Sequence, residues 1–227
     1  PQFVCFVRDY ESETVGMIET ALQGYSQDRY KDRSTLKLVA RVAANIHRLD
    51  QEDFNHLPRI NSRKEQVTSQ LGELDEAVLV EFPLASEVRA WISAQKPSDD
   101  RPCLIHGDLL PQNLLCDLPS ADQEEPPAAV VDWEMAKIGD PAYELAFVSL
   151  WDRKVLGVSN GLKALVEDYL EYGGKPLSLR DVRVHELLLV LRWLEEAYRE
   201  SQKPRPSGHG PDHYEAKLRS LFRRTVD

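Results

Sequence analysis

Three oxygen-bearing side chains stand at chemically suggestive intervals in the middle of the chain. Asp108 and Asn113 lie five positions apart in "HGDLLPQN", and Asp132 ends the apolar run "AAVVD". Core packing gives no reason for so many polar groups between strand-like segments. Phosphoryl transfer does: a carboxylate and an amide oxygen converge on a hard cation and a triphosphate, while a separate carboxylate faces the acceptor hydroxyl. The spacing therefore predicts three functional side chains on two adjacent loops.

Short buried strands must present those loops. "CLIH" and "NLLC" read as strands flanking the polar run, and "AAVVDW" as another after the acidic insertion "DLPSADQEEPP", which puts the carboxylates at strand ends. Residues 2 to 7 and 15 to 19 form a hairpin-like pair around the polar "RDYESET". From Ser34, the predicted N-cap, Leu36, Val39, Val42, Ala43, Ile46 and Leu49 share one helical face. Further helices are predicted over 62 to 80 and 85 to 95, separated near Pro83 and followed by the polar loop "KPSDDRP". Others run from Asp140 to about Trp151, from Ser159 to Tyr172 with a stop at Gly173 and Gly174, and from Ser178 to about Gln202. A Pro/Gly-rich loop at 203 to 213 precedes a short amphipathic helix ending near Arg224. A few strands in front of a mainly helical bulk indicate an α+β fold.

The linked motifs "HGDLLPQN" and "VVDWEMAKIGDPAYELA" resemble those of the aminoglycoside phosphotransferase and choline kinase family: HGDxxxxN, a strand ending in Asp, then GDPxxxLA. The upstream "VARVAANIHRLD" is similar to the family helix that precedes the substrate lobe. The resemblance covers most of the chain, with its specific motifs confined to residues 104 to 146. It implies a protein-kinase-like fold, ATP and Mg2+ as cofactors, and transfer of a γ-phosphoryl group to a hydroxyl. Asp108 would be the catalytic base or hydroxyl-orienting carboxylate, and Asn113 and Asp132 the magnesium ligands. Leu115 and Val131 would floor the adenine site. "MIETA" resembles the hinge, bringing in Met17, Ile18, Glu19 and Ala21 as cofactor-binding positions, although plain strand core accounts equally for these apolar residues. His106 is expected to be an internal hydrogen-bonding post.

By the same resemblance, residues 1 to 24 read as a remnant of an N-terminal lobe with its hinge, and 25 to 227 as the catalytic and substrate lobe. The glycine loop and phosphate-binding Lys have no counterpart before residue 17, so this polypeptide is expected to bind nucleotide weakly and turn over poorly. A catalytically silent ligand-binding module and a magnesium-dependent phosphohydrolase are alternatives with the same motifs. The acceptor class stays open among aminoglycosides, choline, other amino alcohols and sugars, and no pattern specifies an oligomeric state.

Charge and composition exclude other classes. With 28 basic and 38 acidic side chains the net charge is -10, the wrong sign for a nucleic-acid partner. An acidic surface would favour a cationic acceptor, but acidic balance is more often simply how soluble chains resist association. The three cysteines form no CxxC pair, which fits a reducing cytoplasm, and no apolar run reaches membrane-spanning length.

Several polar residues have plainer readings. Asp140, before Pro141, suits a helix N-cap. Glu134, Asp152, Glu195, Glu196 and Glu200 read chiefly as solvated helix faces rather than an acidic acceptor pocket. His209 and His213 have a spacing that suits metal only on a helix, and Gly and Pro interrupt it. Trp133 fits either the core or a wall of the acceptor pocket.

Overall fold

A computed structural model describes residues 3–8, 15–19, 22, 24–29, 31–95, 102–116, 127–150, 155–205 and 207–226. Among these, the strands are short and form small antiparallel sheets. The expected hairpin is present, with β1 (Phe3–Arg8) paired to β2 (Val15–Glu19). Around the motif residues, β3 (Tyr25–Ser26), β5 (Leu114–Cys116) and β6 (Ala128–Val130) make one sheet in the order β3-β5-β6. The first strand of the motif region, β4 (Cys103–Ile105), pairs instead with β7 (Lys137–Gly139). Neither β3 nor β7 is predicted from the sequence: "YS" and "KIG" lack the continuous apolar run that marks the similarly short β4, β5 and β6, and they form where a partner edge is offered.

The helices follow the apolar spacing more closely than the capping residues. Helix α1 (Arg33–His47) buries Leu36, Val39, Val42, Ala43 and Ile46 as its spacing requires. Its N-cap is Asp32, not Ser34: the Asp32 carboxylate accepts from the Thr35 N–H at 2.9 Å and the Ser34 hydroxyl at 2.6 Å. Leu49, expected on the buried stripe, is 49% exposed because the helix has ended at His47.

The predicted helix at 62 to 80 is two helices, α2 (Arg63–Gly72) and α3 (Glu76–Glu81), since Asp75 caps a new start by accepting from the Ala77 N–H. Helix α4 (Pro83–Ala94) begins at Pro83 instead of 85; at the first helical position the missing N–H costs nothing.

Helix α5 (Pro141–Leu150) is buried almost all round and is the central element of the helical body. It is followed by α6 (Gly161–Glu171), α7 (Leu179–Ser201) and α8 (Pro211–Val226). A reciprocal pair of bonds between Ser178 and Asp181 starts α7. Gly174 lies so close to Tyr169 that a Cβ there would come within 2.3 Å of its ring, so the glycine after α6 permits close packing as well as a stop. At sixteen residues α8 is longer than predicted, because Leu218 and Leu221 bury against α4 and α7. Together these helices support β4, whose Cys103, Leu104 and Ile105 are at most 2% exposed, and thereby fix the loop that leaves it.

Candidate active site

The loop after β4 is anchored from below by a residue that the sequence reading missed. Glu144, fully buried on α5, accepts the backbone N–H of His106 at 2.6 Å and of Gly107 at 3.1 Å. A carboxylate taking two backbone donors in a dry site makes strong, charge-assisted bonds. Gly107 has φ +86, and a Cβ there would lie 2.4 Å from the Met135 carbonyl oxygen, so the turn requires glycine. Glu144→Gln places an amide NH2 against one of those donors. It is expected to cost about 1–3 kcal/mol and to raise hydrogen-exchange rates at the His106 and Gly107 amides.

Above that anchor, hydrogen bonds knit the two predicted loops together. His106, buried to 0% exposure, meets the Val131 carbonyl through Nε2 at 2.9 Å, while its Nδ1 accepts from the Asp108 N–H at 3.3 Å. Both bonds are satisfied by the tautomer with its proton on Nε2, the internal post that the motif implied. Asn113 donates through Nδ2 to the Asp108 carbonyl at 2.8 Å and to Asp108 Oδ2 at 3.1 Å, and its own carbonyl accepts from the Val131 N–H at 3.0 Å. Asp132 follows directly, with φ 67 and ψ 58, a left-handed conformation that Asp tolerates better than most residues. Its carboxyl is exposed.

The electrostatics tie the carboxylates to one space. Burial pushes the Asp108 carboxyl above its ordinary range, and the nearby Asp132 and Glu144 push the same way, against the Asn113 bond and His106. Asp108 Oδ2 is engaged by Asn113, while Oδ1 takes no hydrogen bond from the described residues. Trp133, 39% exposed, leans on the His106 ring at 4.7 Å and donates to the Val130 carbonyl at 3.0 Å. It belongs to the rim of the site and not to the core.

The donors suit a magnesium ion. Asn113 directs its NH2 toward Asp108, which leaves the amide oxygen as a ligand, and Asp132 adds a carboxylate. Among the described residues no three His, Cys, Asp or Glu side chains gather as a metal set. An oxygen pair completed by phosphate and water is how magnesium is commonly held.

Leu115 and Val131 are both half-buried and share a sheet face. Leu115 pairs with Ala129, and Val131, two residues on, extends the same ladder opposite Asn113. Met17, Ile18 and Glu19 lie on β2, whose described partner is β1. Ala21 lies outside the described residues, as does Asp152.

Asp140 does cap α5, accepting from the Ala142 N–H at 2.9 Å, but it is also a buried hub. Arg63 of α2 reaches its two oxygens at 2.6 and 3.1 Å, and His185 of α7 meets it at 2.8 Å. Sequence spacing gave no sign of these partners, 77 and 45 residues away. Glu144 could have been found from its place inside the GDPAYELA motif, one helical turn after the cap. Glu195, placed among the solvated acidic residues, is instead 3% exposed between Arg192 and Arg199. Glu134 and Glu196 are exposed. The rings of His209 and His213 are stacked at 4.2 Å.

Known proteins resemble this chain to different depths. Acyl-CoA dehydrogenase family member 11 of Gallus gallus is 28% identical over 124 residues, covering 52% of this chain and 15% of that protein. The Homo sapiens protein of that name is 30% identical over 117 residues, 50% of this chain and 14% of that one. The chain thus matches only a small part of these relatives' length. Among solved structures, a putative aminoglycoside phosphotransferase from Ralstonia eutropha superposes with TM-score 0.59 at 15% identity, covering 96% of this chain and 74% of that one. A choline kinase from Streptococcus pneumoniae gives 0.59 at 14% identity, with 97% and 74% covered. For a Plasmodium vivax ethanolamine kinase the values are 0.58, 17%, 99% and 69%. At these identities the shared property is the kinase-like fold. The family itself is fixed by sequence: residues 16–188 match the model described as the phosphotransferase enzyme family. The match spans both candidate loops and the helix that anchors them, and by it the chain belongs to the phosphotransferase enzyme family.

Proposed function

We propose that the complete protein moves the γ-phosphoryl group of ATP to a hydroxyl of a small molecule, in the cytoplasm. The observation that carries this reading is the division of labour at Asp108. One carboxylate oxygen is held by Asn113 and the other is open beside the exposed carboxylate of Asp132. The open oxygen orients the acceptor O–H and takes its proton as the hydroxyl oxygen bonds to the γ-phosphorus and the bond to the ADP oxygen breaks. Asn113 Oδ1 and Asp132 would hold magnesium, which neutralises charge on the phosphates. Leu115 and Val131 offer the adenine an apolar face, with Met17, Ile18, Glu19 and Ala21 as the proposed hinge. Residues 25 to 227 act as the catalytic and substrate lobe.

Support for a small hydroxylated acceptor comes from the fold neighbours' names, which specify choline and ethanolamine kinases and aminoglycoside phosphotransferases. The matched relatives are much longer, and we propose that this protein too has a longer natural form, carrying an upstream glycine loop and phosphate-binding Lys.

The direct test is an ATP-consumption screen of the full-length protein against hydroxylated acceptors, with acceptor-free controls. ADP release that depends on one acceptor is the expected result. Phosphate release without any acceptor would indicate hydrolysis, and no turnover with any acceptor would indicate a binding module. Separately, Asp132→Ala is expected to abolish magnesium-dependent nucleotide binding in calorimetry; unaltered affinity for Mg-ATP would remove Asp132 from the metal site.

A further inference from the structure

A cleft of about 1600 Å³ lies between α6, α7 and α8, and Lys or Arg side chains come to it from all three helices. Lys163, Arg180, Arg183, Lys217 and Arg224 line it, with Glu186 as the sole carboxylate among the described lining residues. In a chain of net charge -10, so one-sided a lining is not a sample of the general surface. Neither Asp108 nor Asp132 takes part. Helix α5 separates the two places, since Glu144 near its start grips the candidate catalytic loop and Ser149 and Leu150 at its end line the cleft. Ten helical residues span about 15 Å.

Internal pairing neutralises only part of this charge. Glu186, 2% exposed, is taken by Arg183 at 2.5 Å and by the Ser149 hydroxyl at 2.5 Å. Lys163 has Glu167 at 3.6 Å, but both are well exposed and such a pair contributes little. Arg180, Lys217 and Arg224 form no ion pair among the described residues. Arg180 lies over the Trp91 ring at 5.9 Å, and Arg224 donates to the Ser220 carbonyl at 3.1 Å. Lys217 donates to the Leu150 carbonyl at 3.0 Å, and burial holds its ammonium below the usual lysine range despite Glu186.

A second feature points the same way. The α6 N-terminus opens onto the cleft through Asn160, Gly161, Leu162 and Lys163, and Asn160 makes no side-chain cap. The Gly161 N–H is taken by the Val158 carbonyl at 3.1 Å, which leaves the Leu162 and Lys163 N–H groups of the first turn to face an anion. Trp91 and Leu150 supply an apolar wall beside them.

We infer that this cleft binds a phosphate-bearing small molecule, with its phosphates on Arg180, Lys217, Arg224 and the α6 N-terminus. The site stands independently of the phosphoryl-transfer reading. Its probe is inorganic pyrophosphate, titrated calorimetrically into the chain in the presence of EDTA so that no divalent cation contributes. Saturable binding is expected, weakened at least about tenfold in the Arg180→Gln/Arg224→Gln double variant and unchanged by Asp132→Asn. Both arginines are exposed, so the double variant keeps its fold, which circular dichroism verifies; Lys217→Gln provides a second, separate reading. Absence of binding, full affinity in the double and Lys217 variants, or loss of binding with Asp132→Asn would each overturn the assignment.

Discussion

Asp108→Ala is expected to lower kcat of the full-length protein by about a hundredfold or more while leaving ATP affinity nearly unchanged. The split follows from the geometry. Asp108 Oδ1 is the oxygen proposed to meet the acceptor hydroxyl, whereas the nucleotide's proposed ligands are Asn113 and Asp132. Burial raises the affinity of the Asp108 carboxyl for a proton, which improves it as an acceptor for the departing hydroxyl hydrogen. Removing the side chain also deletes the acceptor of one Asn113 bond, but Asn113 keeps its 2.8 Å bond to the Asp108 carbonyl, so the amide oxygen stays aimed. Steady-state kinetics with ATP and acceptor varied in turn would check this. A variant with normal turnover, or one that loses ATP affinity in step with kcat, would remove Asp108 from the acceptor side.

A comparable effect on stability is expected at Asp140. Its carboxylate is 1% exposed and satisfies Arg63, His185 and the Ala142 N–H at once, joining α2, α5 and α7. Asp140→Ala leaves the Arg63 guanidinium, itself 2% exposed, without its main partner. Breaking a buried pair from one side costs about 3–5 kcal/mol, and because Arg63 keeps Asp181 at 3.1 Å the loss is expected at the lower end of that range. In a domain of this size that corresponds to a fall in Tm of roughly 10 °C. Urea unfolding of the two proteins would measure it, and a loss below about 1 kcal/mol would mean that the hub is solvated.

The same group sets an acid dependence. Burial alone would raise the Asp140 pKa, but His185 and Arg63 outweigh it and hold the carboxyl well below its ordinary 3.8. Its contribution to stability is therefore complete above that ordinary value and drains away as pH falls below it toward the folded-state pKa. Over that acid range the Asp140→Ala protein should show a shallower loss of stability than the parent.

Much of the candidate site was legible from residue order because its parts are local. The turn that aims Asp108 needs Gly107, the amide of Asn113 reaches back only five residues, and Asp132 lies two residues after β6, which pairs with the strand that directly follows Asn113. Helices such as α1 and α7 were legible for a related reason: an apolar stripe repeats every turn, and a capping group sits within three residues of what it caps. Where capping groups compete, as Asp32 does with Ser34, or where Asp75 restarts a helix, the outcome turns on which side chain reaches the free N–H groups, and composition does not reveal that. Strands β3 and β7 were illegible because, unlike the similarly short β4, β5 and β6, they carry no continuous apolar run.

By itself, then, the sequence determined which oxygens lie near which turn, and from that the proposed match to a cation and a phosphoryl group. Tertiary structure alone decided what holds that chemistry in place and what else the fold offers. Glu144 beneath the loop, the union of Asp140 with Arg63 and His185, and the cations gathered at the far end of α5 all join residues distant in the chain. The physical reason is that hydrogen bonds and ion pairs act only at contact distance. Periodicity tells which face of a helix turns inward, but not which charge on another helix it will meet.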